Sequence, residues 1–390
     1  MSGWRNWSGK NRCTPDRLHF IRSAEDGRAI VRESAAAGLK IRVAGAGHSH
    51  SPIVETDDVI IDSSGLSGLI DVDNTRRRAW ISAGSPIYSL GAQLHQHGLA
   101  LKNQGDIDRQ FLAGAISTGT HGTGLGLQNM AASVTGLRVI LADGGYIQCD
   151  AGQEPELFQA ARLGIGSIGV IVAVEMELDR ANVLKEKGWQ ADLEEFFDDI
   201  PMLCRHHERF EFFWYPRSNK ATIKVIERSY AEPEYPLAEE GRRQAYSYEV
   251  LPSHRPQRHS EMEYSVPEEF GLDCLRAIVS RIRSDFPEMA WPVEYRTVAA
   301  DDIWLSMAYK RPTVTISVHQ DVREPEEAYF RACEEIFREY DGRPHWGKVN
   351  YLRSEEFASI YPRWDEWWKV RDEVDPTMLF LNNWAKSIRP

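Results

Sequence analysis

The chain has 390 residues, 42% of them hydrophobic and 27% charged, enough apolar material for a large core and length enough for two domains. Its net charge of -12 and the absence of a basic stripe interleaved with aromatics argue against a nucleic-acid partner. The first residues lack the apolar core of a signal peptide, no later run has the length to span a bilayer, and the five scattered cysteines form no CxxC pair, so a cytoplasmic protein with reduced thiols is expected.

In chain order, Ala24 to Ala37 has helical spacing and Lys40 to Ala44 reads as a buried strand. Asp58 to Asp62 and Ala79 to Ala83 are further strands, followed by a helix from Ile87 to His97 that Gly98 stops. A glycine-rich, nearly charge-free loop is expected from Gly114 to Gly126. Leu137 to Leu141 and Tyr146 to Cys149 form a hairpin around Asp143-Gly144-Gly145, and Ile168 to Leu178 is a long β-branched strand. From about residue 185 to 340 aromatics, histidines and charges are dense, and Glu232 to Arg258 has the composition of a long surface loop.

Two glycine loops invite a phosphate. Gly45-Ala46-Gly47 follows a strand, but His50 stands where a dinucleotide fingerprint needs its third glycine, and Pro52 with Ile53-Val54 opposes the helix behind it. A nicotinamide Rossmann domain is therefore rejected. The second loop, Gly114 to Gly124, has Thr120 in place of the Walker lysine, so it is no P-loop. Its N–H groups and hydroxyls suit a diphosphate and suit equally a series of tight turns. His95, His97, His206 and His207 fit no metal-ligand pattern.

Taken together, Val43 to Ser49, Ile60-Ile61-Asp62, Gly114 to Gly124 and Leu163 to Ile171 resemble the FAD-binding domain of the vanillyl-alcohol oxidase superfamily. Glu261 to Pro267, Glu294-Tyr295-Arg296, Val318-His319-Gln320 and Arg343 to Lys348 resemble its sugar-1,4-lactone oxidase branch, of which the alditol oxidases are close relatives. The resemblance runs from Trp7 to Asn382 and implies an α+β protein with a PCMH-type FAD-binding domain over residues 1–180. A substrate (cap) domain with an antiparallel sheet over 181–344 and a segment over 345–390 returning to the flavin complete the expected architecture.

The same resemblance implies FAD joined to His48, whose neutral imidazole is a competent nucleophile toward the flavin 8α-methyl carbon. It implies further flavin contacts from Gly45, Ala46, Gly47, Ser49, His50, Gly114, Ser117, Thr118, Gly119, His121, Gly122, Ile168, Val170 and Lys348. Glu294 and Arg296, two apart, share one face of a strand; the first accepts from substrate hydroxyls and the second stabilises charge arriving on the flavin. Without the resemblance the two also read as a surface ion pair. Lys348 serves as proton acceptor or fixed charge; His319 and His345 suit substrate contact or a structural role. The implied reaction is hydride transfer from a sugar-1,4-lactone to flavin N5, with dioxygen or another acceptor reoxidising the cofactor. An alditol oxidase and a non-catalytic flavin protein are the alternatives. Where many lactone-branch members place a histidine two residues after the HWGK lysine, this chain has Val349-Asn350.

Overall fold

The structure is a computed structural model, described here for residues 3–390. Two smaller sheets and one large sheet organise it. Strands Arg17–Phe20, Val59–Asp62 and Ile41–Ala44 form a parallel sheet with Val59–Asp62 at its centre. Beside it a five-stranded antiparallel sheet runs in the order Tyr146–Asp150, Val134–Ile140, Val170–Glu177, Arg78–Ser82, Leu69–Asp73. The hairpin around Asp143 is thus present and three residues longer at its start than expected.

Local signals explain the helices. Ala24–Ala37 begins on a capping box between Ser23 and Asp26 and ends at Gly38 in the left-handed conformation. Ile87–Gln96 buries Ile87, Leu90, Gly91 and Leu94. The loop expected from Gly114 instead opens as the end of a short helix, Leu112–Thr118, because Leu112, Ala115 and Ile116 fall on one buried face. Gly119, with φ of 78°, terminates that helix.

The eight-stranded antiparallel sheet runs Gln244–Tyr246, Val183–Asp192, Lys220–Ser229, Arg209–Tyr215, Val293–Val298, Thr313–Asp321, His259–Pro267, Arg343–Pro344. Its central strands largely alternate apolar with charged residues. Phe210, Phe212, Trp214, Val293, Tyr295, Val314, Ile316, Val318, Met262 and Tyr264 belong to the buried apolar core. Helices Gly271–Asp285 and Glu327–Glu339 pack on this sheet, and Phe337 stacks on Tyr264 at 5.0 Å. The alternate positions carry Glu211, Glu294, Arg296, His319, Glu261 and Glu263, all of them no more than 7% exposed. A charged face this deeply buried is unusual in a sheet and needs its own partners.

The stretch from Glu232 to Arg258 departs from the expected free loop. It contains strand Gln244–Tyr246 and helix Ser247–Val250, and Arg243 makes a bidentate pair with buried Glu186, 2.7 Å on each arm. One charge pair converts a polar stretch into an anchored one.

Candidate active site

A first cleft opens where strand Ile41–Ala44 runs out. Gly45, Ala46, Gly47, His48 and Ser49 line one side, Gly114, Ser117 and Thr118 another, and Gly164, Gly166, Ile168 and Gly169 a third. The His48 loop is held by neighbours distant in sequence. Trp7 N–H donates to the Gly47 carbonyl (2.7 Å), and the Asn6 amide donates to the Ser49 carbonyl (2.9 Å). Gly47 takes φ of 72°, a conformation that a side chain would strain.

The lining fits FAD on two counts. The N–H groups of Ala46, Gly47, His48 and Ser49 donate to no protein acceptor among the described residues, so four donors in sequence await one. Arg42, 1% exposed, lines the same cleft and donates only to oxygens that carry no charge: Ile53 carbonyl (2.7 Å), Gly166 carbonyl (2.9 Å), Ile165 carbonyl (3.0 Å), Phe380 carbonyl and Ser167 hydroxyl. Among the described residues no carboxylate pairs with it, and burial with nearby Arg371 pulls its guanidinium down to about 9. A buried cation without a counter-charge suits a diphosphate.

Not every expected flavin contact lines this cleft. His50, Gly119, His121, Gly122, Val170 and Lys348 lie outside its lining. Gly119 caps a helix, Gly122 backs closely onto Asn103 and Gln104, and Val170 is wholly in the core. His121 Nε2 instead meets Glu263 at 2.8 Å, and His50 faces Glu261. Arg42, by contrast, carried a signal that was read past: a charge in the middle of an otherwise apolar strand.

A second pocket lies over the charged face of the large sheet. Glu294, Arg296, His319, His345 and Lys348 all line it, together with Asp106, His259, Glu261 and Glu263. A further cleft, lined by His48 and by Glu261, His345 and Lys348, joins the two regions. The turn carrying Lys348 is fixed by Trp346, fully buried, whose indole N–H donates to the Leu305 carbonyl (2.7 Å) and whose ring stacks on Phe357 at 5.1 Å. The Gly347 carbonyl accepts from His50 N–H (2.6 Å), which ties this turn to the His48 loop.

Electrostatics there are dense. Arg296 pairs with Glu294, donates through Nε to Glu211 (3.0 Å) and lies 3.1 Å from Asp106. Lys224 holds the other Glu211 oxygen at 2.6 Å. Burial pushes the Glu294 carboxyl well above the ordinary carboxylate range; Arg296 opposes the rise, while Asp106 and Glu211 add to it. Asp106 moves the other way: burial would raise it, but Lys224, Arg296 and Arg255 together bring it down to about 2. Lys224 and Arg255 share in neutralising Asp106 and Glu211, whereas Glu294 pairs with Arg296 alone, so of the three carboxyls it is the one whose neutral form is favoured. Burial likewise works against Glu261, yet Lys348 holds it ionised, well below its usual value. Burial lowers His48, His319 and His345 to about 4, so all three imidazoles are neutral near pH 7. Asp106, Glu211, Lys224, Glu261 and Glu263 were not singled out as site residues in the sequence. Their signal was the alternation of charge with apolar residues in strands such as Glu261-Met262-Glu263-Tyr264.

The family model described as D-arabinono-1,4-lactone oxidase matches residues 237–388, and the FAD binding domain model matches residues 15–150. The chain is similar to an L-gulono-1,4-lactone dehydrogenase of Mycobacterium tuberculosis, 32% identical with 99% of this chain and 98% of the relative covered. It is also similar to an alditol oxidase of a Streptomyces species, 28% identical over 98% of both. In fold it resembles a solvent-stable cholesterol oxidase, with a TM-score of 0.88 over 99% of this chain and 97% of the other at 16% identity. Among the described residues, no helix is long and apolar enough to cross a membrane.

Proposed function

As the chain belongs to the sugar-1,4-lactone oxidase branch of the vanillyl-alcohol oxidase superfamily and is thus an FAD-linked oxidoreductase, we propose that it oxidises a sugar-1,4-lactone of the L-gulono, L-galactono or D-arabinono type. The observation that carries this reading is the meeting of Glu294, Arg296, His319, His345 and Lys348 in one pocket. Bound FAD supplies the hydride acceptor and passes the electrons to dioxygen or another acceptor.

The protein's share is binding, orientation and charge. Residues 1–180 hold the cofactor, 181–344 form the substrate cap, and 345–390 bring Lys348 back toward the His48 loop; this division is part of the proposal. His48 is the residue joined to the flavin: it is neutral, and it lines the first cleft and the cleft leading to Lys348. Arg42 and the free N–H groups of Ala46 to Ser49 receive the diphosphate. Glu294, protonated, both donates to and accepts from a substrate hydroxyl. Arg296 fixes positive charge where it would stabilise the negative charge that arrives on the reduced flavin. Lys348, engaged by Glu261, acts as a fixed charge, and the hydroxyl proton goes to Nε2 of His319, a neutral imidazole whose Nδ1 faces the Pro292 carbonyl.

Two measurements test this. SDS-denatured holoprotein should keep its flavin fluorescence on the protein band, and His48→Ala should release it; free flavin from the wild type refutes the covalent bond alone. Under anaerobic conditions L-gulono-, L-galactono- or D-arabinono-1,4-lactone should bleach the yellow absorbance faster than xylitol. The alditol reading draws on the Streptomyces relative and on Val349-Asn350, and it wins if xylitol is the faster reductant.

A further inference from the structure

Glu261 is the meeting point of more imidazole than a hydride transfer requires. His259 Nε2 lies 3.5 Å and His50 Nε2 3.8 Å from one of its oxygens, and His319 Nε2 lies 3.7 Å from the other. The ligand atoms of His50, His259 and Glu261 all fall within 4.8 Å of one another. Four ligands at about 2.0–2.1 Å around a tetrahedral ion stand roughly 3.3–3.4 Å apart, so the two distances to Glu261 need only a few tenths of an ångström of closure, and the two imidazole nitrogens, within 4.8 Å, must close by at most about 1.4 Å.

The ring orientations fit as well. His259 Nδ1 is 3.0 Å from the Gln257 carbonyl, and a carbonyl only accepts. Nδ1 therefore carries the proton and Nε2 presents a bare lone pair toward Glu261, the arrangement that backs most metal-bound histidines. His319 is oriented in the same way by the Pro292 carbonyl at 2.9 Å, so its Nε2 also presents a lone pair, 3.7 Å from the second oxygen of Glu261. His50 is buried, and its Nδ1 has no hydrogen-bond partner among the described residues. A buried imidazole bonded at neither nitrogen is an uncompensated polar group, and a ligand bond would compensate it at Nε2, the nitrogen that faces Glu261 at 3.8 Å, though not at Nδ1.

We propose that His50, His259 and Glu261 form a site for a divalent transition-metal ion of the Zn2+ type, with the fourth position open to the substrate pocket. Two imidazoles and one carboxylate select such an ion over Mg2+ or Ca2+, which prefer all-oxygen shells. Lys348, which holds Glu261 in this structure, must give up that oxygen, so metal and ammonium compete. The site shares His259, Glu261 and Lys348 with the substrate pocket. An ion there blocks the pocket, and the site is inhibitory. Metal binding is independent of which lactone or polyol the enzyme oxidises.

The experiment is equilibrium dialysis of chelator-treated, FAD-loaded protein against Zn2+, with metal counted per chain, and the same against Mg2+. One Zn2+ per chain is expected, with no Mg2+ retained. His50→Ala and His259→Ala should each weaken binding by about tenfold or more, and Lys348→Met should tighten it by removing the competitor. If His50→Ala does not fold, His259→Gln, on a ring nearer the surface, decides. Saturating Zn2+ should slow anaerobic flavin reduction in the wild type. Zn2+ retention that is unchanged in the histidine variants, or that weakens in Lys348→Met, overturns the proposal.

Discussion

Arg296 is one guanidinium facing Glu294, Glu211 and Asp106, so it is held by charge rather than by packing. Arg296→Ala should slow flavin reduction at saturating substrate about a hundred- to thousandfold, the usual loss for one fixed transition-state charge in a dry site. It should also leave three carboxylates crowded together, so some stability goes with it. A glutamine mimics a protonated carboxyl. Glu294→Gln should therefore keep KM within about tenfold, whereas Glu294→Ala, which removes both hydrogen-bonding functions, should lose more. Steady-state KM values for the two variants decide whether Glu294 is neutral. Lys348→Met should lower the reduction rate without moving its pH profile; a moved profile would make lysine the proton acceptor after all. At this scale legibility followed locality. That His48 lines the first cleft agrees with the resemblance, which rests there on the contiguous stretch Val43 to Ser49. Arg42 was not legible, because its meaning lies in the carbonyls of Ile165 and Gly166, more than 120 residues away.

The eight-stranded sheet is the element that makes the site. Its apolar side needs the helices Gly271–Asp285 and Glu327–Glu339, and its charged side needs counter-charges and a ligand. Phe337 is fully buried against Tyr264, so Phe337→Ala should destabilise the fold by about 3–5 kcal/mol in denaturant titration while leaving the flavin spectrum intact. Charge alternates with apolar residues along the central strands of this sheet, but alternation by itself points the charged residues the wrong way. Period-two charge usually means a solvated face, and only the pairing of Glu294 opposite Ser317 and Glu261 opposite His319 shows that these side chains converge. The helix Leu112–Thr118 was hidden for a related reason: its glycines and hydroxyls outweighed three apolar residues at helical spacing. The pair between Arg243 and Glu186 spans strands far apart in sequence, which is why the stretch around it read as a loop.

For the whole molecule, buried titratable groups set an acid limit. His48, His319 and His345 have folded values near 4, below the ordinary 6.5 of an unfolded histidine. The unfolded chain therefore binds more protons in that interval, and stability is complete above about pH 6.5 and falls as pH drops toward 4. Asp106, held near 2, adds a second loss as pH falls from about 4 toward 2. Thermal melts should show Tm level from pH 7.5 to about 6.5 and falling from there toward 4, less steeply than the histidines alone would give because burial raises Glu294 and Asp301, and His319→Gln should flatten the slope. The global architecture was accessible from the sequence because the motifs of the two parts are separately recognisable; that the turn of Lys348 docks on the His48 loop was an expectation of family resemblance, and here it rests on the hydrogen bond from His50 N–H to the Gly347 carbonyl. The central claim is that the charged pocket reduces the flavin with a sugar lactone. Anaerobic stopped-flow mixing of the FAD-loaded protein with L-gulono-, L-galactono- or D-arabinono-1,4-lactone tests it most directly. The account predicts full bleaching of the flavin with at least one of the three, at a saturable rate that Arg296→Ala lowers by about two to three orders of magnitude. An oxidised flavin that persists with all three lactones, or equal rates in the wild type and Arg296→Ala, would contradict it.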